Sequence, residues 1–238
     1  MNKLIFFDTE TTGNTEKDFL IQIAYKNDNE SFVGLFKPPI KIPPEASAIH
    51  HITNKMVADK PTFKESTNQP IIKKLFEDKN SIVVAHNAPF DLMIIKKEDI
   101  SLDKFICTLR VARYLDPEGK IERYNLQYLR YFLNLDVEAT AHDALGDVLV
   151  LEKLFERLKN KIKKEENLNE DRAIEKMIEV SSHPSLLLSF NFGKHLGKKI
   201  EEVLRVDRGY LEWLLAQKQA SDQIDEDWIY TLKHYLEK

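Results

Sequence analysis

A chain of 238 residues can bury a full core and is long enough for one large domain with a small one beside it. Its 35 basic residues against 39 acidic ones give a formal net charge of -4, which excludes a global basic field for nucleic acid, although bound metal ions would supply positive charge locally. Cys107, the single cysteine, excludes an intramolecular disulfide and a multi-cysteine zinc site and fits a reducing compartment.

The apolar run Leu4 to Phe7 is interrupted by Asp8 and is too short for a signal peptide. No later stretch is long enough to span a bilayer, so a cytoplasmic protein without a membrane partner is expected. Leu4 to Thr9 predicts a strand buried on both faces, and Phe19 to Tyr25 and Phe32 to Phe36 predict two more, in an antiparallel meander. Asp8 and Glu10 end the first strand on one side of it, because side chains alternate. Thr11, Thr12 and Gly13 then turn the backbone sharply and leave hydroxyls and free N–H groups beside the carboxylates, a lip for a hydroxyl or phosphate. Hard oxygen ligands at a strand end suit Mg²⁺ or Mn²⁺. By itself, Asp-x-Glu before a Thr-Thr-Gly turn is also an ordinary sequence.

A second buried strand is predicted at Ile82 to Ala85, followed by a helix from Pro89 with Asn87 just before it and Asp91 in its first turn. A helix N-terminus stabilises a carboxylate with or without a metal, so Asp91 alone carries either reading. After a strand at Phe105 to Thr108 and a helix from Asn125, a long amphipathic helix opens near Asp143, with Val148, Leu151, Phe155 and Leu158 at helical spacing. Asp147 belongs to its first or second turn and His142 stands just before it. Here Asp143 as cap and Asp147 as a surface acid is the plain structural alternative. The charged run after Leu158 reads as a solvated face, and Arg172 to Val180 as another helix.

Four acids and a histidine in these positions assemble every part of a two-metal hydrolase: converging carboxylates, and a group that deprotonates water near neutral pH. The segments Asp8-Thr9-Glu10-Thr11-Thr12-Gly13, Asn87-x-x-Phe90-Asp91 and His142-x-x-x-x-Asp147 resemble, in order and spacing, the three motifs of the DEDDh (DnaQ-like) 3′-5′ exonucleases. That family includes exonuclease X, the proofreading subunit of replicative DNA polymerases, ribonuclease T and oligoribonuclease. The resemblance implies a ribonuclease H-like α/β fold, a mixed five-stranded sheet flanked by helices. It also implies two divalent cations, with Asp8, Glu10 and Asp147 on the first, Asp8 bridging to the second, Asp91 supporting the second, and His142 as general base. Thr11, Thr12, Gly13, Asn87, Phe90 and His50 are the implied substrate-binding set, with Phe90 packing beneath Asp91 rather than stacking on a base. The segment Pro43 to Thr53 is similar to a loop that walls the terminal-nucleotide pocket in the proofreading branch. His51 departs from it, standing where the family commonly has glycine, and His50 and His51 also read as loop histidines without a role.

Ser181-Ser182-His183-Pro184 breaks the chain before a small module, with a strand at Ser189 to Phe192, a glycine-bearing turn and helices at Tyr210 to Leu215 and Trp228 to Leu236. Phe192-Gly-Lys-His-x-Gly-Lys198 followed by Asp207-x-x-Tyr210-Leu-x-Trp213 resembles the C-terminal module of exonuclease X-like proteins. Three parts are therefore expected: an exonuclease domain at 1–165, a helical linker at 166–184 and an α+β module at 185–238. In the module, Lys194, Lys198 and Lys199 are expected to add substrate affinity and Trp213 to belong to the core, with a stacking role for Trp213 or His195 as the alternative. The expected activity is release of nucleoside 5′-monophosphates from a free DNA 3′ end in repair or proofreading, alone or with a polymerase or repair partner. RNA 3′-end trimming and a catalytically silent binding or scaffold role are the alternatives, and composition does not separate DNA from RNA.

Overall fold

The computed structural model describes residues 3–137, 144–223 and 225–237. Its sheet holds β1 (Lys3–Thr11), β2 (Leu20–Lys26), β3 (Ser31–Leu35), β4 (Ser81–Ala85) and β5 (Phe105–Cys107), in the order β3-β2-β1-β4-β5. The first three strands pair antiparallel, while β1, β4 and β5 run parallel. Three short helices, α1 (Pro44–His50), α2 (Asn54–Val57) and α3 (Gln69–Phe76), fill the span between β3 and β4. Around and after the parallel half come α4 (Ala88–Lys97), α5 (Thr108–Tyr114), α6 (Leu126–Phe132), α7 (Ala144–Glu165) and α8 (Glu170–Ser181). The chain closes with α9 (Ile200–Val206), α10 (Arg208–Ala220) and α11 (Glu226–Leu236). None of the helices among the described residues is long and apolar enough to cross a membrane.

Two cores follow from the alternation of side chains along β1. Phe6 faces α7, packing edge-on against Phe155 at 5.3 Å between ring centroids, with Val84 and Leu151 in the same cluster. Ile5 and Phe7 face the opposite side, against Phe76 of α3 and Ile95 of α4. The parity extends beyond the core: Asp8 and Glu10 share Phe6's side, and Thr9 shares Phe7's. Because β1 and β4 are parallel, with Phe6 opposite Val84, the C-terminal ends of both strands lie at one end of the sheet.

The strands predicted from apolar runs form within about two residues of the expected ends. The Pro43–Thr53 segment, expected as a loop, instead contains α1, with Pro44 at its first position, where the missing N–H costs nothing. His51 ends α1 at φ 61°, the left-handed conformation that favours glycine. The 166–184 stretch, expected as a helical linker, holds α8, which buries Ala173, Ile174 and Met177 in the core it shares with α7. Ser181 accepts the Cys107 N–H at 2.8 Å, tying the end of α8 to β5.

The C-terminal helices enclose a core of their own around Phe190, Leu211, Leu214 and Trp228. The strand expected at Ser189 is a single bridge to Lys199. Trp213 is not in that core: it is 54% exposed, against 4% for Trp228, because helical spacing places Leu211 and Leu214 inward.

Candidate active site

The end of β1 carries the acids. Asp8, Glu10 and Asp147 each offer a carboxylate oxygen, all within 4.8 Å of one another. Asp8 and Glu10 reach this point by strand parity, and Asp147 arrives from the first turn of α7, the helix packed on that face. Asp147 accepts a hydrogen bond from the Gln127 amide of α6, whose own oxygen accepts from Arg130 at 3.3 Å.

Asp91, in the first turn of α4, meets β1 from the other face. Its Oδ1 accepts the Thr9 hydroxyl at 2.7 Å and the Thr9 N–H at 3.2 Å. Thr9 points to that side for the same parity reason that sends Asp8 and Glu10 to the other. Asn87, at φ 66°, forms the left-handed corner between β4 and α4 that aims the helix at the site. Phe90 is half-buried against the α4 side of the core.

These carboxylates stand in conflict with their surroundings. Burial, then the charges of Asp91, Glu10 and Asp147, holds Asp8 well above the usual carboxylate range. Burial pushes Asp91 up to about 7 although the Thr9 donors pull the other way. Converging, partly desolvated oxygen donors that repel one another fit a hard divalent cation, whose charge would relieve the strain.

The turn after β1 differs from expectation. The Thr12 N–H, expected to be free, donates to the Phe19 carbonyl at 3.0 Å. The Thr12 hydroxyl donates to Asp18 at 2.7 Å and accepts the Phe19 N–H at 3.0 Å, and the Thr11 hydroxyl donates to the Gly13 carbonyl at 2.5 Å. The lip is thus a self-bonded turn organised by Asp18. Burial opposes charge on Asp18, but donors from Thr15 and Thr12 outweigh it and hold the group below its ordinary pKa. A side chain on Gly13 would collide with Asp18 at 2.6 Å, which explains the glycine. Lys97 at the end of α4 donates to the Glu16 carbonyl at 2.8 Å and also to that of Asp18, anchoring the turn from below.

His50 is buried, its Nδ1 accepting the Ile52 N–H at 3.0 Å, and its Nε2 has no hydrogen-bond partner. Burial lowers its pKa, offset in part by the nearby Thr11 backbone, which places the ring beside the turn. His142 lies outside the described residues. Sequence reasoning missed Thr9, Gln127 and His86. Burial lowers the pKa of His86 to about 4, and its ring bridges Thr108 at 2.9 Å and the Tyr124 carbonyl at 2.6 Å. No local pattern marks Gln127 or His86, because their partners are 20 and 22 or more residues away. Thr9 is legible only once Asp91 is known to approach the opposite face.

Comparison with known proteins extends the resemblance along the chain. Residues 5–155 match the family described as Exonuclease, and residues 190–219 match Exodeoxyribonuclease X-like C-terminal. Exodeoxyribonuclease 10 of Escherichia coli (strain K12) is 33% identical over 205 residues, spanning 85% of this chain and 83% of that protein. DNA polymerase III subunit epsilon of Treponema pallidum (strain Nichols) is 36% identical over 162 residues, 63% of this chain and 73% of the subunit. Among solved structures, exonuclease X in complex with 5′ overhanging duplex DNA superposes with a TM-score of 0.57 at 28% identity, covering 75% of this chain and 99% of that one.

Proposed function

The chain belongs to the Exonuclease family of DnaQ-like 3′-5′ exonucleases, and from that premise we propose that it removes nucleotides from DNA 3′ ends with two Mg²⁺ or Mn²⁺ ions held by Asp8, Glu10, Asp91 and Asp147. The family is divalent-metal dependent and its activity serves DNA repair or proofreading. The observation that carries the residue assignment is the convergence of Asp8, Glu10 and Asp147 within 4.8 Å.

In this reading Asp8, Glu10 and Asp147 hold one cation and Asp8 with Asp91 the other. Bound cations supply Lewis-acid neutralisation of phosphate charge and make water a stronger nucleophile at neutral pH. Gln127 restrains Asp147 and Thr9 restrains Asp91, which would limit the reorganisation these carboxylates need on taking up the cations. His142 accepts the proton of the attacking water, and the product leaves as a nucleoside 5′-monophosphate. His50, buried beside the self-bonded turn, backs the terminal-nucleotide site from within, while Asn87, Phe90, Thr11, Thr12 and Gly13 shape the pocket through the backbone. Work in the cytoplasm, where bacterial DNA lies, agrees with a lone buried Cys107.

A free-standing repair nuclease is favoured over a polymerase subunit, because the alignment with exodeoxyribonuclease 10 takes in 85% of this chain and that with the epsilon subunit 63%. The test is degradation of 5′-labelled single-stranded DNA, 3′-recessed duplex and RNA in Mg²⁺ or Mn²⁺. A ladder shortening from the DNA 3′ end is expected, lost by a factor of about 10³ or more in Asp8→Ala, in line with several kcal/mol of charge stabilisation. A faster RNA ladder would reassign the enzyme to RNA trimming, and no cleavage of any substrate would leave a binding protein.

A further inference from the structure

The surface of the C-terminal helices carries an aromatic pair, of which Tyr210 leans on their core beside Phe190 and Trp213 stands outside it. Trp213 on α10 is 54% exposed, and Tyr210 one turn earlier lies with its ring 5.5 Å from Trp213 at 33°, so the two make one tilted aromatic surface. Lys194 sits over the Tyr210 face, its Nζ 4.7 Å from the ring centroid. That placement is built in by Gly193, at φ 69°, where a Cβ would come within 2.9 Å of the Tyr210 hydroxyl. Leu196, at the tip of the same turn, is 67% exposed.

The charge around this surface is positive, in a chain whose net charge is -4. The turn 193–199 holds Lys194, Lys198 and Lys199 and no carboxylate. Three of the four acids on the flanking elements are paired: Asp207 with Lys194 at 2.7 Å and His195 at 2.9 Å, Glu212 with Arg208 at 3.0 Å, and Glu201 with Arg205 at 2.7 Å; against the fourth, Glu202, the turn sets both Lys198 and Lys199. Lys198 and Lys199 are exposed. A scattered exposed hydrophobe needs no explanation, but two joined aromatics beneath a lysine turn present a π face and cations together.

The surface is also continuous with the active-site turn. Just beyond α10, the Asp222 carbonyl accepts the Glu16 N–H at 3.1 Å and its carboxylate pairs with Lys17 at 2.5 Å. Glu16 and Lys17 belong to the turn that follows Asp8 and Glu10. The helix therefore runs from Tyr210 toward that turn over roughly 15 Å at 1.5 Å per residue, with Tyr210, Trp213 and Gln217 at helical spacing along one face.

We propose that Tyr210 and Trp213, with Lys194, Lys198 and Lys199, form a second contact for single-stranded nucleic acid, in which a base stacks on the indole and phosphates lie on the lysine turn. It rests on the exonuclease reading only for the source of the strand, the part of a substrate upstream of its 3′ end. A base on an aromatic platform contributes about 1–3 kcal/mol whatever its identity, which suits an enzyme that must advance along any sequence.

The two tryptophans make the test direct, since Trp228 is buried and Trp213 is not. In Asp8→Ala protein with EDTA, titration with dT12 is expected to quench the exposed tryptophan saturably. Labelled dT12 should bind Trp213→Ala about 5–150-fold more weakly, the range given by that stacking energy. The double variant Lys198→Ala/Lys199→Ala should reduce the salt slope of binding by about 1.4, at 0.7 per phosphate contact. Melting curves matching the parent confirm that these surface variants fold, and the lysine variant stands if the tryptophan variant does not. No quench with unchanged affinity and salt slope would overturn the proposal and leave this face to a protein partner. Cleavage of dT12 by wild-type protein tests the exonuclease reading separately: quench without cleavage would keep this surface and discard that reading.

Discussion

At the residue scale, Gln127 holds Asp147 in place from α6, and Arg130 in turn holds Gln127. Groups that orient metal ligands commonly carry 10–100-fold in metal affinity, so Gln127→Leu is expected to raise the Mg²⁺ concentration for half-maximal activity by about that factor. A metal titration with unchanged midpoint would mean that α7 alone orients Asp147. The same cluster dictates how metal-free protein responds to pH. The folded-state pKa of Asp91, about 7, lies above its unfolded value, so the folded protein binds more protons and stability falls as pH rises from about 4 through 7. His86 acts in the opposite sense. With a folded pKa of about 4 below an unfolded value near 6.5, its contribution is full above pH 6.5 and is lost as pH falls toward 4. The two slopes nearly cancel between about pH 4 and 6.5, so melting temperature in EDTA is expected to stay almost level there and to fall through pH 7, and Asp91→Asn to flatten that alkaline limb and expose the rise from pH 4 to 6.5 that His86 contributes. An alkaline limb as steep in Asp91→Asn as in the parent would refute the assignment.

At the element scale, β1 explains what was legible in the sequence and what was not. Its apolar run, its alternating acids and the parallel partner β4 are all local patterns, so the sheet and the approach of Asp147 to Asp8 and Glu10 could be read from the chain. Of the six helices of four to eight residues among the described residues, only α6, announced by its Asn125 cap, could be read; α1, α2, α3, α5 and α9 offer too few turns for a periodic signal. Thr12 was misread for a related reason. Its N–H looked free because its acceptor, Phe19, stands beyond a turn whose closure depends on Asp18. His51 shows the converse case, where the family's glycine foretold the backbone although this residue is not glycine. Held at φ 61° at the end of α1, it carries strain that His51→Gly would release, against a more flexible unfolded chain. The net expectation is a gain of up to about 1 kcal/mol in urea unfolding, whereas His51→Val should lose at least as much, a β-branched residue being poorly tolerated at positive φ. Equal stability of all three proteins would remove the strain argument.

At the scale of the whole molecule, the question is what joins the C-terminal helices to the sheet domain. Asp227, on the first turn of α11, pairs with Arg113 and, at 3.4 Å, with Arg110, and accepts the Ser185 N–H at 2.8 Å. Arg110 is 4% exposed and also donates to the Ser181 carbonyl at 2.8 Å and to Glu226 at 2.5 Å. Asp227 thus bridges two guanidinium groups, with Glu226 balancing the second charge, at a junction where α5, α8 and α11 meet. Removing one partner of such a buried pair costs about 3–5 kcal/mol, because the charge left behind stays desolvated. Glu226 softens the loss for Arg110, so the lower end, about 3 kcal/mol, is expected for Asp227→Ala. The exposed Lys17–Asp222 pair, with side chains 71% and 49% accessible, is the contrasting case, and Asp222→Ala should cost no more than about 1 kcal/mol. If the buried junction carries the coupling, calorimetry of Asp227→Ala will show the C-terminal helices melting ahead of the sheet domain, while Asp222→Ala keeps the parent's profile. A single Asp227→Ala transition within about 2 °C of the parent would place the coupling instead in the apolar packing of α8.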